Sequence, residues 1–226
     1  MSKGRVSFVG CGPGAGDLLT LRAARAIAEA DVIVWSPTLL DRAVVAEHAR
    51  PDAELVAWPP ATQADVLAVY RRAVDEELRI VRLKGGDPTV FGELGEDLRA
   101  VDAMGVERAI VPGISAVAAG AAALGCEVAA RGAPLLLVAA GDGADGAGVV
   151  AAFGAGRDPE ALARELSARG LPAATPCAVL VGVSRPGEIV ATCRLSDLAE
   201  QLADLGAGAL TTVLAGAPLT AAWRAA

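Results

Sequence analysis

An apolar run that ends in two glycines, an aspartate and a proline constrains this chain more than any other segment: Val81-Arg82-Leu83-Lys84-Gly85-Gly86-Asp87-Pro88. Glycine has no Cβ and tolerates positive φ, so the backbone can come close to another group there. Asp87 offers a carboxylate, and Pro88 stiffens the exit from the loop. A strand running into such a loop is where an open α/β sheet holds its ligand. Lys84 and Lys3 are the only two lysines in the 226 residues.

A second glycine loop, Gly10-Cys11-Gly12-Pro13-Gly14-Ala15-Gly16-Asp17, follows the short apolar run Val6-Ser7-Phe8-Val9. It loosely fits a dinucleotide fingerprint, but three details oppose nicotinamide binding. Pro13 removes a backbone N–H that a pyrophosphate would use. The next helix is predicted to start only near Asp17 or Thr20, too late to cradle a phosphate. No acidic residue ends the next strand, Val32-Ile33-Val34-Trp35.

Hydrophobic patterning predicts two α/β halves, 1–112 and 113–226. In the first, strands are expected over 5–9, 32–35, 54–57, 79–83 and 109–111, with helices over 20–30, 41–48, 61–77 and 94–104. Pro112-Gly113 breaks the pattern, and an Ala-rich helix over 114–124 leads into the second half. There, strands are expected over 134–139, 148–153, 178–183, 188–193 and 209–214, with helices over 159–168 and 195–205.

Four ordered segments carry a resemblance. They are Gly-Cys-Gly-Pro-Gly-Ala-Gly-Asp from residue 10, Ala-Asp-Val-Ile-Val-Trp from 30, Arg-Leu-Lys-Gly-Gly-Asp-Pro-Thr-Val-Phe-Gly-Glu from 82, and Val-Pro-Gly-Ile-Ser-Ala from 111. Together they resemble the tetrapyrrole methylases, the S-adenosylmethionine-dependent C-methyltransferases of the corrin and sirohaem pathways. The resemblance implies two α/β halves in tandem, each a mixed sheet flanked by helices, with the ligand cleft between them. It implies that the methyl donor is held by Pro13, Gly85, Gly86, Asp87, Val90, Ser115 and Ala116, and by Phe153 and Ala178 of the less similar second half. For those last two, core packing is the competing account. The family is commonly a homodimer.

The position of the acceptor carbon stays open. Arg-Leu-Lys-Gly-Gly-Asp-Pro is similar to the uroporphyrinogen-III methylases, which typically carry Tyr-Asp after the second strand, a Gly-Lys-Arg segment and Pro-Leu-Thr-His-Arg. Here the equivalents are Trp35-Ser36, Ala57-Trp58-Pro59-Pro60 and Val128-Ala129-Ala130-Arg131-Gly132. Trp35-Ser36-Pro37-Thr38-Leu39-Leu40 is instead similar to the Tyr-Ala-Gly-Ser-Leu-Val of the precorrin-4 carbon-11 methylases. Precorrin-4 is the preferred acceptor, uroporphyrinogen III the second. A divergent paralogue that binds or methylates another ligand is the third. Relatives usually have a longer connection where this chain has a Gly/Asp loop between residues 140 and 148.

Composition narrows the remaining classes. Apolar residues make up 54% and aromatics 3%, so Ala, Val, Leu and Gly build the interior. A net charge of −7 argues against nucleic acid. Positive charge must then be local if a carboxylate-rich tetrapyrrole is to bind. Lys84 and Arg22 are the candidate partners of its carboxylates, and Trp35, like Trp58, could stack on a flat ring. Cys11, Cys126, Cys177 and Cys193 lack metal-ligand spacing and are read as small buried hydrophobes; with the single His48 no metal site is expected. His48 itself is expected to be solvated or capping. Neither uncharged stretch, near 109–126 or 205–223, is rich enough in large apolar residues to span a membrane. No secretory signal is recognised at the start, so a cytoplasmic location is expected.

Overall fold

Parallel strands buried on both faces read as near-continuous apolar runs, and the first half of the chain has that character. The computed structural model describes residues 4–139 and 149–216, so the Gly/Asp loop between residues 140 and 148 lies outside the described residues. Contacts divide the chain into two units, Met1–Ser115 and Ala116–Ala226.

The first unit alternates β1 (Arg5–Gly10), a 3-10 turn (Gly16–Leu18), α1 (Leu21–Ala28), β2 (Val32–Trp35), α2 (Arg42–His48), β3 (Glu54–Ala57), α3 (Gln63–Asp75), β4 (Arg79–Lys84), α4 (Leu94–Ala103) and β5 (Glu107–Val111). The helix starts are chemically marked. Thr20 accepts the amide of Ala23, Asp41 that of Ala43, and Thr62 with Asp65 forms a reciprocal capping box. The strand order is β3-β2-β4-β1-β5, and every pair is parallel. The first sheet is therefore wholly parallel, where a mixed one was expected.

Strand alternation splits the apolar side chains into two layers. Val9, Ile33, Trp35, Val81 and Leu83 meet Ala23 and Ile27 of α1 and Val45 of α2. On the other face Val6, Phe8, Val32, Val34 and Ile80 meet Val66, Val69, Tyr70 and Ala73 of α3 and Val101 of α4. Each fully buried large side chain in these layers contributes about 1.5–3 kcal/mol. Arg82 and Lys84 share the parity of Ile80, so β4 carries two cations onto the α3/α4 face.

The second unit contains α5 (Ala116–Ala123), β6 (Leu135–Ala139), β7 (Val149–Phe153), α6 (Pro159–Ala168), β8 (Pro176–Val181), β9 (Ile189–Arg194), a 3-10 turn (Leu195–Asp197), α7 (Leu198–Asp204) and β10 (Thr211–Ala215). Its sheet runs β6-β7-β10-β8-β9; β6 and β7 are parallel and the other pairs antiparallel. Leu162 and Leu166 of α6 and Leu198 and Leu202 of α7 fill one face. On the other, Val117 of α5 meets Ala151, Ala178, Leu180 and Leu214. The helix expected over 195–205 begins as a 3-10 turn before α7.

Candidate functional site

In a wholly parallel sheet all strand C-termini lie along one edge, and ligands of such sheets bind there. In the first unit that edge holds both glycine loops and the Pro112-Gly113 turn. Register places Gly10 of β1 opposite Lys84 of β4. Past that point the two loops stay joined: the Gly86 amide donates to the Gly12 carbonyl at 2.8 Å, and the Gly12 amide to the Gly86 carbonyl at 3.3 Å. Gly12 and Gly86 have φ of 71° and 60°, the left-handed region that favours glycine.

The third turn closes on the same point. A Cβ on Gly113 would lie 2.1 Å from the Gly86 carbonyl oxygen, and one on Gly10 would lie 2.6 Å from it. Asp87 secures the junction. Its Oδ1 accepts the Thr89 amide at 2.8 Å and the Thr89 hydroxyl at 2.6 Å, while Oδ2 accepts the Gly113 amide at 3.2 Å. Burial raises the Asp87 pKa, but these three hydrogen bonds outweigh it and the net shift is downward. Asp87 is thus a clamp on neighbouring backbone groups. Val90 donates its amide to the Asp87 carbonyl at 3.1 Å and stands in the same turn. Pro13 and Ser115 are both half-buried, on the first glycine loop and just after the Pro112-Gly113 turn.

At the end of β2, Trp35 is 6% exposed, and its indole Nε1 is buried with no hydrogen-bond partner among the described residues. Ser36, which stands where the uroporphyrinogen-III methylases carry an aspartate, is buried, with its Oγ 2.8 Å from the Thr38 hydroxyl. Trp58 follows β3 directly, and its amide donates to the Trp35 carbonyl at 2.8 Å.

The cations are arranged differently from expectation. Lys84 Nζ lies 2.7 Å from Asp97 Oδ2, with side chains 12% and 6% exposed. Asp97 Oδ1 accepts the Tyr70 hydroxyl at 3.1 Å. Burial, then the Asp97 charge, push the Tyr70 pKa up, while Arg82 pulls it down. Lys84, expected to meet a substrate carboxylate, is thus committed to a carboxylate of its own chain. Arg22 is exposed on α1. Arg82, not singled out as a site residue from sequence, is 4% exposed and lies over the Trp58 ring, 4.6 Å from its centroid.

In the second unit, Ala116 opens α5 and Phe153 ends β7, half-buried against the α5-side cluster. Ala178 is fully buried in that cluster, as core packing requires. Cys11, Cys177 and Cys193 are buried, but Cys126, three residues past the end of α5, is only half-buried. His48 ends α2 and is half-buried. Among the described residues no group of three or more His, Cys, Asp or Glu side chains could hold a metal ion, and no helix is long and apolar enough to cross a membrane.

Comparison with known proteins fits this edge of glycine loops. The profile of the Tetrapyrrole (Corrin/Porphyrin) Methylases matches residues 5–199. A siroheme synthase of Methylococcus capsulatus is 36% identical over 94% of this chain, which spans about half, 49%, of that relative's length. A precorrin-4 C(11)-methyltransferase of Rhodococcus erythropolis is 31% identical, over 96% of this chain and 92% of its own. A uroporphyrin-III C-methyltransferase structure from Thermus thermophilus, complexed with S-adenosylhomocysteine, superposes with a TM-score of 0.76 at 29% identity, covering 94% of this chain and 92% of the other. The chain belongs to the tetrapyrrole methylases, a family of S-adenosylmethionine-dependent methyltransferases.

Proposed function

We propose that this chain transfers a methyl group from S-adenosylmethionine to a ring carbon of a tetrapyrrole in cobalamin biosynthesis, with carbon 11 of precorrin-4 as the acceptor. The observation that carries this reading is the bridged pair Gly12–Gly86, clamped by Asp87 to Gly113 at the C-terminal edge of a parallel sheet. It presents backbone that a ligand can approach without meeting a Cβ. These residues fit a neutral-to-cationic, partly apolar donor molecule.

When bound, the donor supplies an electrophilic sulfonium methyl. The chain has only to align acceptor and donor and exclude water, which is catalysis by proximity. Pro13, Gly85, Gly86, Asp87, Val90 and Ser115 of the first unit are proposed to hold the donor; Ala116, Phe153 and Ala178 are the proposed donor contacts of the second. Trp35 is proposed to stack on the macrocycle, with the exposed Arg22 as a partner for one of its carboxylates. No metal enters this reading.

Precorrin-4 is favoured over uroporphyrinogen III because residue 36 is a serine whose hydroxyl faces Thr38, where the uroporphyrinogen-III methylases have a carboxylate. The near-equal length of the Rhodococcus relative supports the same choice. The higher identity of the siroheme synthase supports the second acceptor. A cytoplasmic homodimer, without nucleic-acid or membrane partners, completes the reading and rests on the family likeness.

Calorimetric titration with S-adenosylhomocysteine tests the donor, with micromolar binding expected. Methyl incorporation is then compared between precorrin-4 and uroporphyrinogen III. No binding by folded protein rejects the methyltransferase reading, and turnover of uroporphyrinogen III alone rejects the acceptor.

A further inference from the structure

The α3/α4 side of the first sheet buries more positive than negative charge. Arg82 and Lys84 project there from β4, and Asp97 of α4 is a buried carboxylate on the same side. Its two oxygens are taken, Oδ2 by Lys84 and Oδ1 by the Tyr70 hydroxyl. Arg82 is left without an ion-pair partner among the described residues, and its Nε and Nη1 are buried with no hydrogen-bond acceptor. A guanidinium carries five N–H donors and stays charged at all accessible pH. Buried and unpaired, such a cation opposes folding, and a ligand anion that reached it would offset that cost.

The geometry also indicates where the anion enters. In register, Arg82 pairs with Val34 of β2, and Val34 with Val56 of β3. Contact with Trp58 therefore carries the guanidinium across β2 toward the C-terminal end of β3, the edge that holds the glycine loops. Trp58 is half-buried, and the prolines that follow it are exposed, so the indole stands between the guanidinium and solvent. Its ring face holds the guanidinium plane by cation–π attraction and leaves the in-plane donors free. In-plane N–H groups are what a carboxylate takes in pairs.

We propose that Arg82, oriented by Trp58, is the residue that binds a carboxylate arm of the acceptor, the task that Lys84 cannot perform while it holds Asp97. The inference rests on the tetrapyrrole methylase reading and assigns one of its substrate contacts. It also gives Trp58 a role: in place of the Gly-Lys-Arg segment of the uroporphyrinogen-III methylases, an aromatic face positions a cation supplied by β4.

The test uses uroporphyrin III, a stable carboxylated macrocycle, titrated by its fluorescence into wild type and into Arg82→Gln, Arg82→Lys and Arg82→Leu. Affinity is expected to fall about tenfold or more in Arg82→Gln and to recover partly in Arg82→Lys, with S-adenosylhomocysteine affinity unchanged. Ligand-free Arg82→Leu is expected to melt at or above the wild-type temperature, because it removes a buried charge with no counter-charge. Wild-type affinity for uroporphyrin III in Arg82→Gln overturns the assignment. So does a wild type that does not bind the macrocycle, or an Arg82→Leu that melts well below wild type, the mark of a structural role. If the wild type fails to bind S-adenosylhomocysteine, the donor reading falls, and the porphyrin titrations still decide Arg82.

Discussion

The Asp87 carboxylate accepts the Gly113 amide at 3.2 Å, so one side chain ties the loop after β4 to the turn after β5. Replacing it by alanine frees both loops from each other. Asp87→Ala is expected to weaken S-adenosylhomocysteine binding more than tenfold, about 1.4 kcal/mol, as read by calorimetry. Unchanged affinity would remove the clamp from the donor site.

The same carboxylate sets an acid limit. Its folded pKa lies below the ordinary value, since the Thr89 and Gly113 hydrogen bonds outweigh its burial. A group depressed in this way contributes stability that is complete above its unfolded pKa and is lost as pH falls through the folded one. The stability difference between wild type and Asp87→Asn should therefore be constant from about pH 5 to 8 and shrink below about pH 4. Urea unfolding at a series of pH values measures it, and a difference that grows on acidification contradicts the assignment.

Steric contact at the junction makes a sharper forecast. Gly86 has a φ of 60°, where a β-branched residue is strained by about 1–3 kcal/mol. A Cβ at Gly113 would overlap the Gly86 carbonyl oxygen at 2.1 Å. Gly86→Val and Gly113→Ala should each abolish donor binding. Tight binding in either variant would show that the ligand lies elsewhere.

Breaking the Lys84–Asp97 pair should be costly, because both side chains are largely buried. Asp97→Ala strands the ammonium and the Tyr70 hydroxyl together, and a loss of about 3–5 kcal/mol is expected in urea unfolding. Lys84→Met leaves Asp97 with the Tyr70 hydrogen bond and should cost less. The reverse order would contradict this account of the network.

Thiol chemistry should single out one cysteine. Burial, with the neighbouring Cys193, pushes Cys177 up to about 12; burial, with Asp197, pushes Cys193 up to about 11. Cys11 is fully buried, whereas Cys126 is half-buried. At pH 8 a thiol-exchange reagent should find one fast thiol in the native protein, lost in Cys126→Ser and kept in Cys177→Ser. Fast reaction of three or four thiols would show that the second sheet opens readily.

Local pattern carried most of the element order. Helices marked by Thr20, Asp41 and Thr62 and strands flanked by glycine declare themselves within a few residues, and the expected helix at 159–168 coincides with α6. The glycine loops were legible as a candidate site because their residue types are restrictive wherever they occur. What connects them was not. The Gly12–Gly86 bridge and the Asp87–Gly113 bond depend on strand order, which no local window contains. Lys84 looked free because its partner Asp97 lies on a different element, α4. Nothing local marks Arg82 as buried, and its ring partner Trp58 lies across an intervening strand. Mixed strand directions in the second sheet and parallel ones in the first were equally beyond the reach of periodicity, which reports faces and not partners.

The position of β10 gives the two units different histories during synthesis. In the first unit β4 inserts between β1 and the β2-β3 pair with β5 still to follow, and all five strands are present once Val111 has emerged. In the second, β10 sits between β7 and β8 and is buried along its whole length. Until Thr211–Ala215 leaves the ribosome, that sheet exists only as two separate ribbons, β6-β7 and β8-β9, each with an unpaired apolar edge. A nascent chain stalled in the few residues before β10 would carry a finished first unit and an open, adhesive second one. A holding chaperone would find its substrate in that interval.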